Sequence, residues 1–257
     1  MRPERALVLA GARAEADPVA AFAGVSHKAL IRLGGRPLLE RVISALAGAG
    51  VGWITVVSSD AEVARLAESL ESKVLPDEAG PSLSALKGVE ATGTPVLVTT
   101  SDHALLEAAW IDRFLADAPS AADVCVLLAR REAVEAAAPG SRRTYMKFAD
   151  GEWSGCNLFL LRNARALGAV RLWRSIEADR KRPWRIVRRL GPWALVRYLA
   201  GRMTLSEALE RLGRLCGAKV AAVESPFGLA AVDVDKPADL EFVRAVLSPE
   251  RGESGRG

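Results

Sequence analysis

The sequence predicts an α/β fold in which helices cover both faces of a mostly parallel sheet. Three observations predict it: continuous apolar runs recur along the chain, stretches of helical period separate them, and half of the 257 residues are hydrophobic while only 5% are aromatic. Uninterrupted apolar runs suit strands covered on both faces, and strand alternating with helix at this spacing builds a three-layer α/β/α sandwich. The same composition excludes a disordered or collagen-like polymer. No apolar run approaches the roughly 18 residues of a spanning helix, so a soluble folded protein is expected.

Residues 6–10 (ALVLA) read as the first strand. The opening MRPERALVLAGA imitates a secretion signal, but Arg13, Glu15 and Asp17 end its apolar stretch too early for one. Further strands are expected at 53–58 (WITVVS), 95–100 (PVLVTT) and 123–129 (DVCVLLA). Helices are expected between them at 37–47, ending in Gly48 and Gly50, and at 61–71, 83–91 and 106–117. From 139 to 160 the pattern becomes strand, turn at Asp150-Gly151, strand, a hairpin added to the sheet. A helical block follows over roughly 163–216, punctuated by Pro183 and Gly191-Pro192. Its last helix opens on a capping box, Thr204 with Glu207, and stops at Gly217. A strand at 218–224 and a helix at 237–247 close the fold, and the polar, Gly-rich tail 248–257 reads as disordered. With no repeat and no linker, one domain over 1–247 carrying a helical insertion is expected.

Charge and cysteines narrow the setting. The chain carries +4 overall, yet residues 171–202 hold ten Arg or Lys against Glu177 and Asp179, which leaves the remainder near −4. Trp173, Trp184, Trp193 and Tyr198 are interleaved with those cations. Three readings stay open for this segment: a helical lid or dimer face, a surface for anionic lipid, or a nucleic-acid contact, although no nucleic-acid-binding module is recognisable and none is expected as a partner. Cys125, Cys156 and Cys216 lie far apart without a C-x-x-C pair, so neither a disulfide framework nor a thiolate zinc site is encoded. They suit small core residues in a cytoplasmic protein, with peripheral attachment to the inner membrane surface as a variant of that expectation.

Three stretches carry chemistry. The first strand ends in Leu9-Ala10-Gly11 and runs into a long polar connection that holds Arg13 and reaches Lys28. A glycine at a strand's carboxyl end lets backbone N–H groups face an anion, and the two cations add charge, so Gly11, Arg13 and Lys28 would make a triphosphate cradle. The glycine alone is equally a plain turn. Asp102, in Thr99-Thr100-Ser101-Asp102-His103, follows a central strand, where open sheets keep their ligand crevice. It suits a hard cation such as Mg²⁺, which takes one or two carboxylates plus substrate phosphates; Ser101 or Asp102 would equally cap the next helix. Third, alternation places Asp233 and Asp235 of Val232-Asp233-Val234-Asp235-Lys236-Pro237 on one face, about 7 Å apart. They would complete a metal site, or Asp235 would cap the last helix with Pro237 in its first turn.

In this order the three stretches resemble the MobA-like nucleotidyltransferases, whose fold is Rossmann-like and of nucleotide-diphospho-sugar transferase type. The family's L-A-G-G opening, with a later Arg and Pro-Lys, is similar to Leu9, Ala10, Gly11, Ala12, Arg13 and Lys28; Ala12 stands for its second glycine and His27 for its proline. Gly34-Gly35-Arg36-Pro37-Leu38-Leu39 resembles its G-x-P-L stretch, TTSDHALL its metal-aspartate strand end, and DVDKPADL its closing motif. GPSLSALKG resembles the base-binding stretch, with Gly80, Ser84 and Gly88 where the family approaches the nucleobase. The resemblance spans roughly 5–110 and 225–247.

It implies transfer of NMP from an NTP, CTP or GTP ahead of ATP, to a phosphorylated small-molecule or lipid acceptor, with Mg²⁺ on Asp102, Asp233 and Asp235 and with pyrophosphate leaving. Arg13 and Lys28 would stabilise the departing pyrophosphate. On the acceptor side Lys147 would meet a phosphate and Asn157, in SGCNLFLL, a hydroxyl. His27 and His103 are available acid–base groups, though such a reaction needs none. Two rivals remain: a glycosyltransferase of the same fold, for which Asp233-Val234-Asp235 would be the D-x-D, and a nucleotide-binding or membrane-docking protein without catalysis.

Overall fold

The computed structural model describes residues 2–11, 17–141, 143–178 and 191–248. The apolar runs become strands β1 (Arg5–Leu9), β4 (Trp53–Val57), β6 (Val96–Thr100) and β7 (Val124–Arg130), each within a residue or two of expectation. Between β1 and β4, a small ribbon pairs β2 (Arg32–Leu33) with β3 (Arg36–Pro37) through Gly34 and Gly35, both at positive φ as a tight hairpin turn requires. A short strand the sequence pattern hides, β5 (Lys73–Leu75), pairs with β4 at the sheet edge. The expected hairpin is β8 (Met146–Phe148) with β9 (Gly151–Leu161), and β10 (Val220–Ser225) follows.

Strand order is β10-β7-β9-β6-β1-β4-β5, with β8 paired to β9. The hairpin's long strand is therefore an internal member of the sheet: β9 runs antiparallel between β6 and β7, and every other neighbouring pair on that path is parallel. Its apolar second half, Leu158 to Leu161, pairs with β6 across Leu158–Thr99 to Leu161–Val96.

Helices α2 (Leu38–Gly48), α3 (Ala61–Ser69), α4 (Pro81–Thr92) and α5 (Ala108–Asp117) fill the gaps between strands, and α6 (Arg131–Ala137) follows β7. The polar connection after β1 holds α1 (Pro18–Ala23), capped by Asp17, whose carboxylate accepts from Val19 N at 2.8 Å, and ended by Gly24 in the left-handed conformation. The helical block gives α7 (Ala166–Ala178), α8 (Pro192–Leu199) and α9 (Leu205–Cys216); residues 179–190, with Trp184, lie outside the described residues, as does the tail 249–257. The capping box at α9 forms as expected: Thr204 Oγ1 accepts from Glu207 N at 3.2 Å, and Glu207 Oε2 accepts from Thr204 N at 3.0 Å. Helix α10 (Pro237–Leu247) matches expectation at both ends.

Strand alternation sends neighbouring residues into opposite layers. Ala6 and Val8 of β1 join the layer of α2, α5 and α10, where Phe114, Ile111 and Leu240 are buried. Leu7, between them, joins the layer of α4 and α7 with Leu86, Val89 and Val170. This is a three-layer α/β/α sandwich.

β1 is flanked by β4 on one side and β6 on the other, so the chain's order reverses across it and leaves a crevice outside the carboxyl ends of β1 and β6. The loop that brings residues 232–236 to this crevice is seated by a 3₁₀ turn, Gly228–Ala231, packed against α6. A Cβ on Gly228 would run into the Ala133 carbonyl. Gly228→Ala should lower stability by about 1–3 kcal/mol, the usual cost of overpacking, read as a shift of the urea midpoint at unchanged slope.

Candidate active site

The site is assembled by loops that leave two parallel strands. After β6 the chain continues its ladder with β1 through Ser101 N to Leu9 O at 3.0 Å, then turns tightly, Ala104 N donating to Asp102 O at 2.8 Å. Asp102 O also accepts from Val234 N at 3.1 Å, which docks the late 232–236 segment on the turn. The Asp102 side chain is largely but not wholly buried and serves no helix: α5 begins six residues later, after Glu107, so the N-cap alternative for Ser101 and Asp102 does not hold.

Lys28 starts a 3₁₀ turn, Lys28–Leu30, capped by His27, whose Nδ1 accepts from Ala29 N at 3.0 Å. Its ammonium donates to Asp102 Oδ2 at 2.6 Å and to Asp235 Oδ1 at 3.2 Å. Residues 28, 102 and 235 thus meet at one point. Asp102 Oδ1, also buried, has no hydrogen-bond partner among the described residues. Burial, the largest single influence, would raise the Asp102 carboxyl, but the Lys28 charge and hydrogen bond, joined by the Thr100 hydroxyl, together hold it below the ordinary carboxylate range. For Lys28 burial works downward, and Asp102 followed by Asp235 carries it above the usual lysine value.

Asp233 faces the other way along the same cluster. Its Oδ2 accepts from Asn157 Nδ2 at 2.9 Å, and Arg143 binds both its carboxylate and its carbonyl oxygen, the latter at 3.2 Å. Asn157 has φ of 46° in β9, opposite the register shift between Val126 and Leu128, a left-handed backbone that aims its side chain out of the ladder. Arg143 also binds Asp239, whose other oxygen accepts from Lys236 N at 2.9 Å and Asp235 N at 3.1 Å. Asp239 therefore closes the amino end of α10 from inside the helix, in place of the cap expected from Asp235. Burial first, then the charges of Asp235 and Asp102, push the Asp233 carboxyl up to about 6.

Asp102 and Asp235 offer hard oxygen donors, and the orphaned Asp102 Oδ1 shows ligand capacity the protein itself leaves unused. Among the described residues no group of three or more His, Cys, Asp or Glu side chains forms a metal cage. The donor set fits an ion that takes one or two carboxylates and completes its shell with ligand oxygens and water.

The other wall of the crevice is made by β1 and the loop before α4. Leu9 ends β1, Ala10 N bonds Val57 O at 2.9 Å, and Gly11 is exposed at the tip. A Cβ on Gly11 would sit 2.8 Å from Asp77 Oδ2, so the glycine gives the Asp77 side chain its place against the strand end. Gly80 leads into α4 beside Glu177 of α7, whose carboxylate accepts from Ser82 N at 3.1 Å and from the Ser82 hydroxyl. Ser84 and Gly88 are buried. Ser84 Oγ is buried and accepts from Glu78 N at 2.9 Å, which shapes the loop, and a Cβ on Gly88 would lie 2.7 Å from Leu7 Cδ2, which seats α4 on β1.

Ala12 and Arg13 lie outside the described residues. Lys147 is not brought to the cluster. It is an exposed residue of β8 paired across to Glu152, 3.5 Å away, five positions along β9 from Asn157 and so about 16 Å from it. Sequence reasoning gave Asp77, Arg143, Glu177 and Asp239 no role in a site. Only Asp239 left a sequence signal, as an acid in the first turn of a predicted helix.

Fold and site define an α/β protein whose crevice, at the carboxyl ends of β1 and β6, presents clustered carboxylates beside a glycine-tipped strand. The chain belongs to the family of MobA-like NTP transferase domains, whose model matches residues 6–191. It is similar to a hypothetical transferase from Thermus thermophilus, at 34% identity and TM-score 0.80 over 93% of this chain and 100% of that one. Its fold is shared by 2-C-methyl-D-erythritol 4-phosphate cytidylyltransferase from the same organism, at 18% identity, TM-score 0.53 and coverage of 96% and 99%. It is also shared by the 4-diphosphocytidyl-2C-methyl-D-erythritol synthase of Anaerococcus prevotii, at 11% identity, TM-score 0.58 and coverage of 95% and 97%. No curated protein matches the chain.

His103, next to Asp102, is fully buried, with its ring 6.4 Å from that of Trp110, and burial lowers it from 6.5 to about 4 despite the nearby Asp102. It is therefore neutral at pH 7 and packs as part of the core. Because its folded value is depressed, its contribution to stability is complete above 6.5 and is lost as pH falls towards 4. His103→Leu should flatten the fall in urea midpoint over that window; an unchanged slope would assign the acid sensitivity elsewhere.

Proposed function

We propose that the chain transfers the NMP portion of an NTP to a phosphorylated acceptor. An acceptor phosphate oxygen attacks the α-phosphorus in line, the bond to the β-phosphate oxygen breaks, and pyrophosphate leaves with that electron pair. No covalent protein intermediate is needed, so catalysis reduces to positioning and to neutralising charge. The observation that carries this reading is the meeting of Lys28 with Asp102 and Asp235 at the mouth of a glycine-tipped strand.

Asp102 and Asp235 would hold Mg²⁺, with Asp233 behind them, and the bound ion would supply neutralisation of phosphate charge. Gly11, at the end of β1, would let the backbone approach a phosphate chain. Lys28, within reach of the same point, would follow the negative charge that builds on the departing pyrophosphate, and Arg13 on the same loop would share that task. Asn157, hydrogen-bonded to Asp233, would meet the acceptor. The family supports a nucleotide triphosphate donor, and we take CTP or GTP ahead of ATP.

A panel of NTPs and phosphorylated acceptors, scored by pyrophosphate release, tests the proposal. Asp102→Ala should abolish acceptor-dependent turnover while leaving the urea midpoint measurable and cooperative. Lys28→Ala should cost about 2–4 kcal/mol in kcat/KM, the scale of one lost transition-state donor. Binding of NTP without release against any acceptor would point to the non-catalytic alternative.

A second reading concerns where the protein works. Trp193 and Leu199 project from α8 at 72% and 74% exposure, inside the basic 171–202 segment, and no described helix is long and apolar enough to cross a membrane. An apolar face flanked by arginine suits peripheral contact with anionic lipid. Flotation should recover the protein with anionic liposomes and lose it with neutral ones. Equal recovery with both ends this reading.

A further inference from the structure

Four carboxylates, Asp102, Asp233, Asp235 and Asp239, converge at the crevice, and two basic side chains form ion pairs with them among the described residues. The two are held very differently. Arg143 is a planar fork with 7% of its side chain exposed, bound to Asp233 through one arm and Asp239 through the other. Such a bidentate clamp is preorganised. Lys28 is a single ammonium on a flexible stem, and its partner Asp235 has 48% of its side chain exposed, so one side of this ion pair is open to the crevice.

We propose that the Lys28 ammonium is an internal counter-cation, occupying the space between Asp102 and Asp235 and so closing that pair to divalent cations until a bound polyphosphate draws it away. Cation and nucleotide then enter as one unit.

The geometry supports this in three ways. Nζ lies 2.6 Å and 3.2 Å from oxygens of the two carboxylates, so the ammonium occupies the space between them. A divalent ion cannot share that space with an ammonium, because like charges at such separation repel strongly in a partly buried site. One ammonium also serves two carboxylates, and it reaches Asp102 through Oδ2 alone. The apparent affinity for a free cation is then its intrinsic affinity reduced by the fraction of time Lys28 is away. Coupling is reciprocal, so a nucleotide that recruits Lys28 strengthens cation binding, and the cation strengthens nucleotide binding to the same degree.

The inference rests on the nucleotidyl-transfer reading only for the identity of the polyphosphate, and its test needs no turnover. The probe is Mn²⁺, an oxygen-seeking ion observed directly by paramagnetic resonance, titrated into the full chain without nucleotide. Three proteins are compared: wild type, Lys28→Gln, which keeps a hydrogen-bonding side chain but no charge, and Lys28→Arg, which keeps the charge. Lys28→Gln should bind one Mn²⁺ at least about tenfold more tightly than wild type, and Lys28→Arg should remain as weak as wild type. Adding Asp102→Asn to Lys28→Gln should remove the gain, which places the ion at the pair. Should Lys28→Gln fail to unfold cooperatively in urea, Lys28→Met is read by the same criteria.

Equal Mn²⁺ affinity in wild type and the neutral variants overturns the proposal, as does a gain shared by Lys28→Arg or one that survives Asp102→Asn. Absence of acceptor-dependent pyrophosphate release would refute the transfer reading while leaving the Mn²⁺ comparison intact. Conversely, turnover with equal Mn²⁺ affinities would refute only the counter-cation role.

Discussion

Carboxylates repel one another, and this protein gathers four of them at the ends of its strands. That crowding is the constraint on which the rest of the site depends. It pushes Asp233 up to about 6 by burial and by the charges of Asp235 and Asp102, and it is tolerated because Lys28 and Arg143 stand between the acids. Removing one member of a buried pair strands its partner's charge, which costs far more than the pair contributes in place. The two cations are therefore structural before they are chemical: Arg143 ties the segment before β8 to the last helix, and Lys28 ties the first loop to both acidic segments.

The sheet makes this convergence possible. Because β1 lies between β4 and β6, its carboxyl end and that of β6 open side by side, and two loops some ninety residues apart in the chain leave the sheet as neighbours. The antiparallel β9 then brings Asn157 up beside β6 from much later in the chain, and its local left-handed turn points the amide at Asp233. On the other wall, small residues allow close approach: Gly11 makes room for the Asp77 side chain, and Gly88 lets α4 settle on Leu7. Packing and site are thus built from the same glycines.

The legible parts of the sequence were those with local physics. Continuous apolar runs marked β1, β4, β6 and β7, the Thr204–Glu207 pair marked the start of α9, and Pro237 with Gly217 bounded the last elements. Helix α1 was equally signalled by Asp17, Pro18 and Gly24, yet its six residues are too short for a periodic pattern to stand out from a polar loop. β5 is three residues at an edge, with no apolar run to announce it. Lys147 was singled out for its charge and place before a turn, but charge alone does not say which way a hairpin points, and the strand carries it out to Glu152 and solvent.

The amino-acid sequence alone determined the three-layer α/β/α class, the order of most of its elements, and the candidate residues Lys28, Asp102, Asp233 and Asp235, because periodicity, capping and motif order are local properties of a chain. The tertiary structure alone decided who meets whom. Lys28 lies 74 residues from Asp102 and 207 from Asp235, and Arg143 lies 90 from Asp233 and 96 from Asp239. Contacts at such separations are set by the side-by-side order of strands, which no local pattern encodes, and so the division of four acids between a fixed guanidinium and an exchangeable ammonium emerges only once the sheet is folded.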